Sequence, residues 1–301
     1  MTTLDALARP TGAFAMVAMD QRESLRHMFD LAGLGRPDDD VLIDFKVAVA
    51  ETLAPHASAF LADRRYGFDA VRAAVPEETG LILAVDALDQ ADGGPVEDTD
   101  LDDEALADIP DQVDALKLLL IWRRDARRDD RVRLAARFID EARSRGVLSV
   151  LEPVVRAAPG EQDFDADAAI REAARELSAL RPDLYKAQVP LAGTGDEGEQ
   201  RRASAALDAC MTGPWVVLSQ GVERDRFADA VRAACQEGAS GFLAGRALWS
   251  DVVGEQDLRE ELRRRSVDRL RALADVVDAH ARPWREAASG PGSAGGDGGS
   301  A

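Results

Sequence analysis

Eight short apolar runs alternate with amphipathic stretches along this chain, and this alternation constrains its fold more than any other feature. The runs are continuous rather than alternating and rich in β-branched residues, as expected of parallel strands buried on both faces. They occupy residues 14–20, 57–63, 81–86, 115–122, 147–155, 183–190, 215–221 and 241–247. Stretches with helical periodicity lie between them, at 128–145, 165–180 and 223–237 among others. Eight successive β-then-α units predict one α/β domain, a closed (β/α)8 TIM barrel.

Three segments lie outside this regular pattern. Residues 87–112 form a long acidic insert after the third run, which we expect to be a loop with one helical turn. Residues 256–286 are expected to form a helix that packs on the barrel exterior or extends from it. The Gly/Ser-rich residues 288–301 predict a disordered tail, so the barrel domain should cover residues 1–287.

The composition excludes several classes of partner. A net charge of -19 disfavours binding to nucleic acid and to anionic membranes. No apolar run approaches the roughly 20 residues of a membrane span, and the first residues do not resemble a secretory signal. The chain has only two cysteines, so a disulfide-stabilised fold is not indicated. We therefore expect a cytoplasmic protein. An anionic substrate would need local cations or backbone N–H donors.

Lysine is rare in this chain. Of 37 basic residues, only Lys46, Lys117 and Lys186 are lysines. Arginine stays protonated and is a poor nucleophile, whereas a desolvated lysine amine can lose its proton and attack a carbonyl group. The lysines are therefore candidates for chemistry that arginine cannot perform, although chance could also leave three of them.

Catalytic groups in (β/α)8 barrels come from the C-terminal ends of the strands. The polar residues and glycines at the ends of the eight runs are Asp20, Gln21, Arg22, Asp63, Asp86, Lys117, Arg123, Glu152, Arg156, Lys186, Gln188, Ser219, Gln220, Gly221, Gly245 and Arg246. Strand alternation puts Leu184, Lys186 and Gln188 on one face of the sixth run. The same argument for neighbouring runs predicts a pocket at the top of the barrel that contains Lys186, Glu152, Lys117 and Asp20.

This predicted pocket has the groups for Schiff-base chemistry. Burial and the nearby cation Lys117 would favour the uncharged amine of Lys186, which attacks a ketone. Glu152 is our candidate for the acid and base in loss of water, and Glu152 or Asp20 could take the proton from a C4 hydroxyl. The alternative is that Lys186 makes a structural ion pair inside a barrel layer.

A second set of residues predicts a phosphate site. Ser219, Gln220 and Gly221 end the seventh run, and Gly245 and Arg246 end the eighth, where barrels of this kind frequently bind phosphate. Glycines let backbone N–H groups approach an anion, and Arg246 can donate two hydrogen bonds to it. The glycines could also simply terminate the strands.

We expect no metal and no organic cofactor. The histidines, His27, His56 and His280, are scattered along the sequence. The aspartates that end the first three runs could hold a divalent cation, which leaves a metal-dependent lyase as an alternative.

Long motifs in unbroken order resemble a known enzyme family. They are GAFAMVAMDQRESLRHMF, DFKVAVAETLAPHASAFLAD, ALKLLLIWR, LEPVVR, DLYKAQVP, PWVVLSQGV and GASGFLAGRALWSDVVG, between about residues 12 and 255. They resemble the class I aldolases that group tagatose-1,6-bisphosphate aldolase with sulfofructosephosphate aldolase. The resemblance implies a TIM barrel, a Schiff base on Lys186 and metal-independent release of dihydroxyacetone phosphate. It also implies roles in the site for Asp20, Gln21, Lys117, Glu152, Ser219, Gly245 and Arg246.

Within this family, the DQRE opening and the compact chain look closer to the sulfofructosephosphate enzymes of sulfoquinovose degradation. The resemblance implies cleavage of 6-deoxy-6-sulfofructose 1-phosphate to dihydroxyacetone phosphate and sulfolactaldehyde, with Gln21, Arg22 or Arg123 as partners for the sulfonate. The alternative substrate is tagatose or fructose 1,6-bisphosphate, which would give glyceraldehyde 3-phosphate. Gln220 and the Ala187-Gln188 pair depart from the family pattern, in which we would expect serine and a Val-Glu pair. A homo-oligomer is expected, and a catalytically inactive barrel that serves as a binding module is the alternative from another functional class.

Overall fold

The computed structural model describes residues 2–288 and contains a closed parallel barrel, as predicted. Each of the eight apolar runs forms one barrel strand. In chain order, with the two strands of the insert included, the strands are β1 (Phe14–Met19), β2 (Ala59–Asp63), β3 (Gly80–Ala84), β4 (Asp86–Gln90), β5 (Val96–Leu101), β6 (Ala115–Trp122), β7 (Leu148–Val155), β8 (Leu184–Gln188), β9 (Trp215–Leu218) and β10 (Gly241–Ala244). The barrel order is β1-β10-β9-β8-β7-β6-β3-β2, closed by pairing of β1 with β2.

Helices cover the outside of the barrel and begin and end close to the predicted signals. They are α1 (Glu23–Leu31), α2 (Asp39–Leu53), α3 (Phe68–Ala74), α4 (Asp103–Ala107), α5 (Arg128–Ser144), α6 (Ala166–Ser178), α7 (Glu197–Asp208), α8 (Arg224–Gln236), α9 (Arg246–Trp249), α10 (Leu258–Glu261), α11 (Asp268–His280) and α12 (Trp284–Ala288). Asp38 caps α2 by accepting a hydrogen bond from the backbone N–H of Val41 at 3.1 Å. Gly146, with a φ of 71°, ends α5 in the left-handed conformation that favours glycine.

The lower part of the barrel interior is entirely apolar. Inward-facing side chains of all eight barrel strands form one cluster there, and Leu4 and Leu7 from a short 3₁₀ turn close its lower end. The cluster contains Phe14, Met16, Ala18, Ala59, Leu61, Ile82, Ala84, Ala115, Leu148, Val150, Leu184, Val216 and Leu243. Polar inward-facing side chains follow only above it, so the register of each strand decides which polar residues meet at the top.

The acidic insert differs from the loop that we predicted. Residues 87–112 supply most of an antiparallel hairpin of β4 and β5, and α4 is the expected helical turn. The acidic composition is compatible with ordered strands because arginines of the β6–α5 region neutralise it: Arg123 pairs with Glu97 at 2.6 Å, and Asp98 pairs with both Arg127 and Arg131. Sequence composition alone does not reveal these partners.

The C-terminal segment packs against the outside of the barrel. Leu262, Leu270, Leu273 and Val277 are buried in the outer hydrophobic core. The predicted helix at 256–286 is interrupted by a π-helical turn at Leu262–Val267 and again before Pro283. The predicted disordered tail lies outside the described residues except for Ala288, which ends α12. Within residues 2–288, no helix is long and apolar enough to cross a membrane.

Gly241 tests the tight pairing of β1 with β10. Its φ is +140°, and a Cβ placed on it would lie 2.0 Å from the carbonyl oxygen of Phe14 on β1. We expect Gly241→Ala to lower the free energy of unfolding by about 3 kcal/mol through backbone strain and overpacking. Denaturant unfolding measures this. Gly213→Ala is the matched control, because nothing lies within 4 Å of its Cβ position; equal stability of the two variants would contradict the described register.

Candidate active site

The structure brings Lys186, Glu152, Lys117 and Asp20 together at the top of the barrel, as strand alternation predicted. Lys186 on β8 is only 3% exposed, and its Nζ lies 2.9 Å from Oε1 of Glu152 on β7. Leu184 lies two residues before Lys186 on β8, and Val150 lies two residues before Glu152 on β7. Both belong to the apolar interior cluster. The amine therefore points into the barrel, above an apolar floor.

Lys117 on β6 lies at the centre of this group and contacts three carboxylates. Its Nζ is 2.6 Å from Asp20, 2.8 Å from Asp86 and 3.1 Å from Oε2 of Glu152. Asp20 follows β1, Asp86 begins β4 directly after β3, and Glu152 lies in β7. One ammonium group therefore connects the ends of strands from opposite parts of the barrel.

The contacts continue as one chain of ion pairs. Arg22 donates to Asp86 at 2.9 Å and lies 3.7 Å from Asp63, which also binds Lys46 from α2. We call this set the ion chain; its members are Lys46, Asp63, Arg22, Asp86, Lys117, Asp20, Glu152 and Lys186. It contains every lysine of the sequence, and its four cations balance its four carboxylates.

The central charges of the ion chain stabilise one another. Burial would raise the pKa of Asp20, but Lys117, Lys186 and Arg22 together lower it well below its usual value. Burial would lower the pKa of Lys117, but Asp20, Asp86 and Glu152 raise it well above its usual value. Lys117 therefore stays charged, and Asp20 is a permanent hydrogen-bond acceptor but a weak base.

A cavity of about 290 Å³ opens above these residues. Asp20, Lys117, Glu152 and Lys186 form its base. The Oε2 atom of Glu152 is buried and accepts no well-directed hydrogen bond from the described residues. A carboxylate oxygen with an available lone pair is thus held beside a lysine amine inside a small, largely enclosed space, which is an arrangement suited to proton transfer.

The predicted phosphate residues lie on one side of this cavity. Ser219, Gln220, Gly245 and Arg246 line it, and Gly221 lines an adjoining depression that shares Ser219 and Arg246. Gly245 is required by close packing, since a Cβ there would lie 2.6 Å from the carbonyl oxygen of Ala18. The pKa of Arg246 is lowered, mainly by burial and also by nearby Arg156. The charges of Glu152 and Asp20 act on this pKa in the opposite direction, but among the described residues no carboxylate makes a direct ion pair with Arg246.

Four other predicted substrate-binding residues have different surroundings. Gln21 lines the cavity, and its Oε1 is buried without a hydrogen-bond partner. Arg22 also lines it, but two carboxylates of the ion chain hold its guanidinium. Arg123 pairs with Glu97 of the hairpin and is not part of the cavity wall. Gln188 is likewise absent from the wall, because its side chain accepts a 2.7 Å hydrogen bond from the backbone of Val155.

Sequence reasoning missed several residues of the cavity wall. The hairpin contributes Leu88, Gln90, Gly94, Pro95 and Val96, which nothing in the sequence places over the barrel. Arg156 also lines the cavity. The sequence names it at the end of the fifth run but assigns it no role, although Glu152 and Arg156 are four residues apart along one strand direction and therefore share a face. Asp86 was considered only as a metal ligand, whereas it binds Lys117 and Arg22.

The aspartates that end the first three runs are engaged by cations of the protein. Asp20 contacts Lys117, Asp63 contacts Lys46, and Asp86 contacts Lys117 and Arg22. Across residues 2–288, no group of three or more His, Cys, Asp or Glu side chains is placed to hold a metal ion. The three aspartates are therefore partners of the protein's own cations.

Replacing Lys117 by methionine should expose the dependence of the fold on this cation. The variant leaves the buried Asp20, Asp86 and Glu152 without their common partner, so we expect the free energy of unfolding near pH 7 to fall by about 3–5 kcal/mol. Loss of Lys117 removes the largest influence that lowers the pKa of Asp20, so burial should raise this pKa above the unfolded value of about 4. The folded variant then binds more protons than the unfolded chain. The loss of unfolding free energy relative to the wild type, the stability deficit, should therefore shrink as the pH falls toward about 5.

Denaturant midpoints at the two pH values test this expectation. In the wild type, the lowered pKa of Asp20 contributes stability above about pH 4 that is lost at lower pH, so little change is expected between the two conditions. Arg133→Gln on α5, which removes an exposed pair with Asp130, is the control and should change stability by less than about 0.5 kcal/mol. A deficit of Lys117→Met that is constant or larger at the lower pH would contradict the described contacts.

Comparisons with known proteins give the family. The model of the family described as "DeoC/LacD family aldolase" matches residues 14–251. The chain is 29% identical over 313 residues to tagatose 1,6-diphosphate aldolase of Listeria monocytogenes serotype 4a (strain HCC23), covering 93% of this chain and 92% of the relative. It is 28% identical over 319 residues to tagatose 1,6-diphosphate aldolase 2 of Streptococcus pyogenes serotype M1, covering 91% and 94%.

Solved structures share the fold at lower sequence identity. Fructose-bisphosphate aldolase from Plasmodium falciparum, crystallised with TRAP and an inhibitor, is 12% identical with a TM-score of 0.69, covering 92% of this chain and 93% of that one. An archaeal fructose-1,6-bisphosphate aldolase, whose catalytic lysine is bound to a carbinolamine intermediate, is 16% identical with a TM-score of 0.59, covering 91% and 98%. These likenesses support the barrel alone. Since the family model matches almost the whole barrel, the chain belongs to the DeoC/LacD family of class I aldolases, which are carbon–carbon lyases.

Proposed function

We propose that Lys186 forms a Schiff base with the ketone of a ketose 1-phosphate and that the protein releases dihydroxyacetone phosphate from it. The observation that carries this proposal is the contact of 2.9 Å between the Lys186 amine and Glu152 in the buried cavity. An amine can attack a carbonyl only after it loses its proton, and Glu152 is the carboxylate placed to take that proton. The chemistry named for the archaeal structure, a carbinolamine on a lysine, is of the same type.

The first half of the reaction forms the iminium. The Lys186 amine attacks C2 of the ketose, and the resulting carbinolamine loses its hydroxyl group as water after Glu152 returns a proton to it. Lys117 helps to keep Asp20 ionised and does not compete for the ketone, since its own pKa is raised well above the usual value. A charged ammonium is not a nucleophile, so the two lysines have different roles.

The second half cleaves the C3–C4 bond. The C4 hydroxyl gives its proton to a carboxylate, the C3–C4 bond breaks, and its electron pair moves into the iminium to form an enamine. We propose Glu152 as the carboxylate that accepts this proton, because Asp20 has a lowered pKa and is a weak base. Asp20 can still orient the C4 hydroxyl. A proton returned to C3 and hydrolysis by water then free dihydroxyacetone phosphate and Lys186.

Arg246, Ser219, Gln220 and the glycines at 221 and 245 are the residues we propose for the C1 phosphate. Arg246 is largely buried beside the cavity and, among the described residues, pairs with no carboxylate. A buried guanidinium without a counter-ion gains from binding an anion, because the anion compensates for the hydration that burial removed. Gln21, Arg22, Arg123 and Gln188 remain proposed contributors to substrate binding from the sequence.

The substrate that we propose is 6-deoxy-6-sulfofructose 1-phosphate, which would give sulfolactaldehyde as the second product. The DQRE opening and the compact chain, which look closer to the sulfofructosephosphate aldolases, support it. The alternative is tagatose or fructose 1,6-bisphosphate, which would give glyceraldehyde 3-phosphate. The Listeria and Streptococcus relatives, named for tagatose 1,6-diphosphate and covered over more than 90% of their length, favour this alternative.

Reductive trapping tests the role of Lys186. Borohydride added with dihydroxyacetone phosphate should inactivate the enzyme irreversibly and leave one adduct, which mass spectrometry should locate on Lys186. Lys186→Gln should form no adduct and lose at least about 10³-fold in kcat, because no other group supplies the iminium. Wild-type protein treated with borohydride alone is the control. Absence of an adduct would overturn the proposal and favour an inactive barrel, whereas activity abolished by EDTA would favour the metal-dependent lyase.

Turnover of paired substrates tests the second product. We expect kcat/KM for 6-deoxy-6-sulfofructose 1-phosphate to exceed the values for tagatose and fructose 1,6-bisphosphate by at least about tenfold, a difference of roughly 1.4 kcal/mol in transition-state binding. Coupled detection of dihydroxyacetone phosphate reports all three reactions with the same assay. Equal or faster turnover of either bisphosphate would reject the sulfonated substrate in favour of the alternative.

A further inference from the structure

The basic residues of the cavity fall into two classes. Five line it, and three of them, Arg22, Lys117 and Lys186, belong to the electrically balanced ion chain. The other two, Arg156 and Arg246, have no carboxylate within 4.0 Å among the described residues and donate no side-chain hydrogen bond there. The cavity therefore contains two positive charges that the protein itself does not balance.

Arg156 is half-buried and has no counter-ion among the described residues. Its Nε is buried and has no hydrogen-bond partner. Its pKa is lowered, mainly by burial, while the hairpin residue Glu97 acts in the opposite direction and Arg123 in the same direction. A guanidinium that is desolvated and unpaired costs stability, and a bound oxyanion would remove that cost.

The two unpaired arginines lie on different sides of Lys186. Following the barrel order, Arg246 follows β10, Lys186 lies in β8, and Arg156 follows β7, next to β6. Arg246 is beside Ser219, on the side assigned to the C1 phosphate. Arg156 follows β7, and the charges that act on it are those of Glu97 on β5 and Arg123 after β6. A ketose bound through C2 to Lys186 would extend its C1 end toward one arginine and its C6 end toward the other.

We propose that Arg156, in the cavity wall and within the electrostatic influence of Glu97 on β5, binds the oxyanion on C6 of the substrate and so determines specificity for ketoses with an anion at both ends. This inference rests on the proposed Schiff-base function for the orientation of the sugar. Sulfonate and phosphate share the required chemistry, three oxygen acceptors on a tetrahedral centre with negative charge. Arg123 already pairs with Glu97, and Arg22 already pairs with Asp86, so neither is as available as Arg156.

Binding of unreactive polyols tests the site without depending on catalysis. Hexitol 1,6-bisphosphate and hexitol 1-phosphate lack the ketone, so their affinities report the anion sites alone. Calorimetric titration of the wild type should show about 10- to 100-fold tighter binding of the bisphosphate. Arg156→Gln should abolish that difference and change the affinity for the monophosphate by less than about twofold. Arg133→Gln, which removes the same charge from an exposed position on α5, should leave both affinities unchanged.

Two outcomes would overturn the proposal. If Arg156→Gln weakens the monophosphate and the bisphosphate equally, Arg156 and Arg246 clamp one phosphate together. If it changes neither affinity, Arg156 does not bind the ligand. Glu97→Gln supplies an independent variant should Arg156→Gln fail to fold. It removes a carboxylate whose charge acts on Arg156, and it is combined with Arg123→Gln because Glu97 is the partner of Arg123. In this double variant bisphosphate affinity should rise relative to Arg123→Gln alone, without a change for the monophosphate; an unchanged or lower bisphosphate affinity counts against the site.

A third ligand distinguishes the source of the anion. Titration with 6-deoxy-6-sulfohexitol 1-phosphate should show the same dependence on Arg156 as the bisphosphate, and the tighter of the two ligands identifies the preferred terminal group.

In turnover, Arg156→Gln should lose about 10- to 100-fold in kcat/KM on the doubly anionic ketoses and retain its rate on fructose 1-phosphate. Borohydride trapping with dihydroxyacetone phosphate should be unaffected by this variant. Failure of trapping in the wild type would reject the Schiff base, whereas the titrations judge Arg156 separately.

Discussion

The ammonium of Lys117 is the interaction on which the upper half of the barrel depends, because it lies between three carboxylates, one that follows β1, one that follows β3 and one within β7. Without a cation at this point, three buried negative charges would face one another across the barrel interior. Lysine suits the position better than arginine, since a compact ammonium can approach three separate oxygens, whereas a planar guanidinium favours paired donors to one carboxylate. The position of this single charge also explains why Asp20 and Glu152 lie within reach of Lys186.

The barrel geometry supplies this arrangement through the register of its strands. Each inward-facing polar residue lies two residues beyond an apolar residue of the interior cluster: Lys186 beyond Leu184, Glu152 beyond Val150, Asp20 beyond Ala18. A shift of one residue in any strand would turn its polar side chain toward the helices and bring an apolar one into the site. The dry lower cluster therefore fixes the positions of the charged groups above it, and stability and chemistry share one register.

The sequence was sufficient for the parts of the structure that depend on local pattern. Continuous apolar runs predicted all eight barrel strands, and their alternation predicted that Lys186, Glu152, Lys117 and Asp20 would meet. It did not reveal ion pairs whose two members lie far apart in the chain. The pairs of Arg22 with Asp86 and of Arg123 with Glu97 are of this kind. The hairpin was expected to be a loop, because the arginines that neutralise its acidic strands come from another element.

Charge balance unites the two halves of the site. The ion chain contains four cations and four carboxylates, so the machinery that forms and cleaves bonds is close to neutral as a whole. A neutral centre neither repels the terminal anions of a substrate nor competes with them for the arginines. The positive charge that remains is held by Arg156 and Arg246 at the cavity wall, in a molecule whose net charge is -19. Attraction of an anionic sugar must therefore be local, and the two unpaired guanidinium groups determine how the sugar lies relative to Lys186.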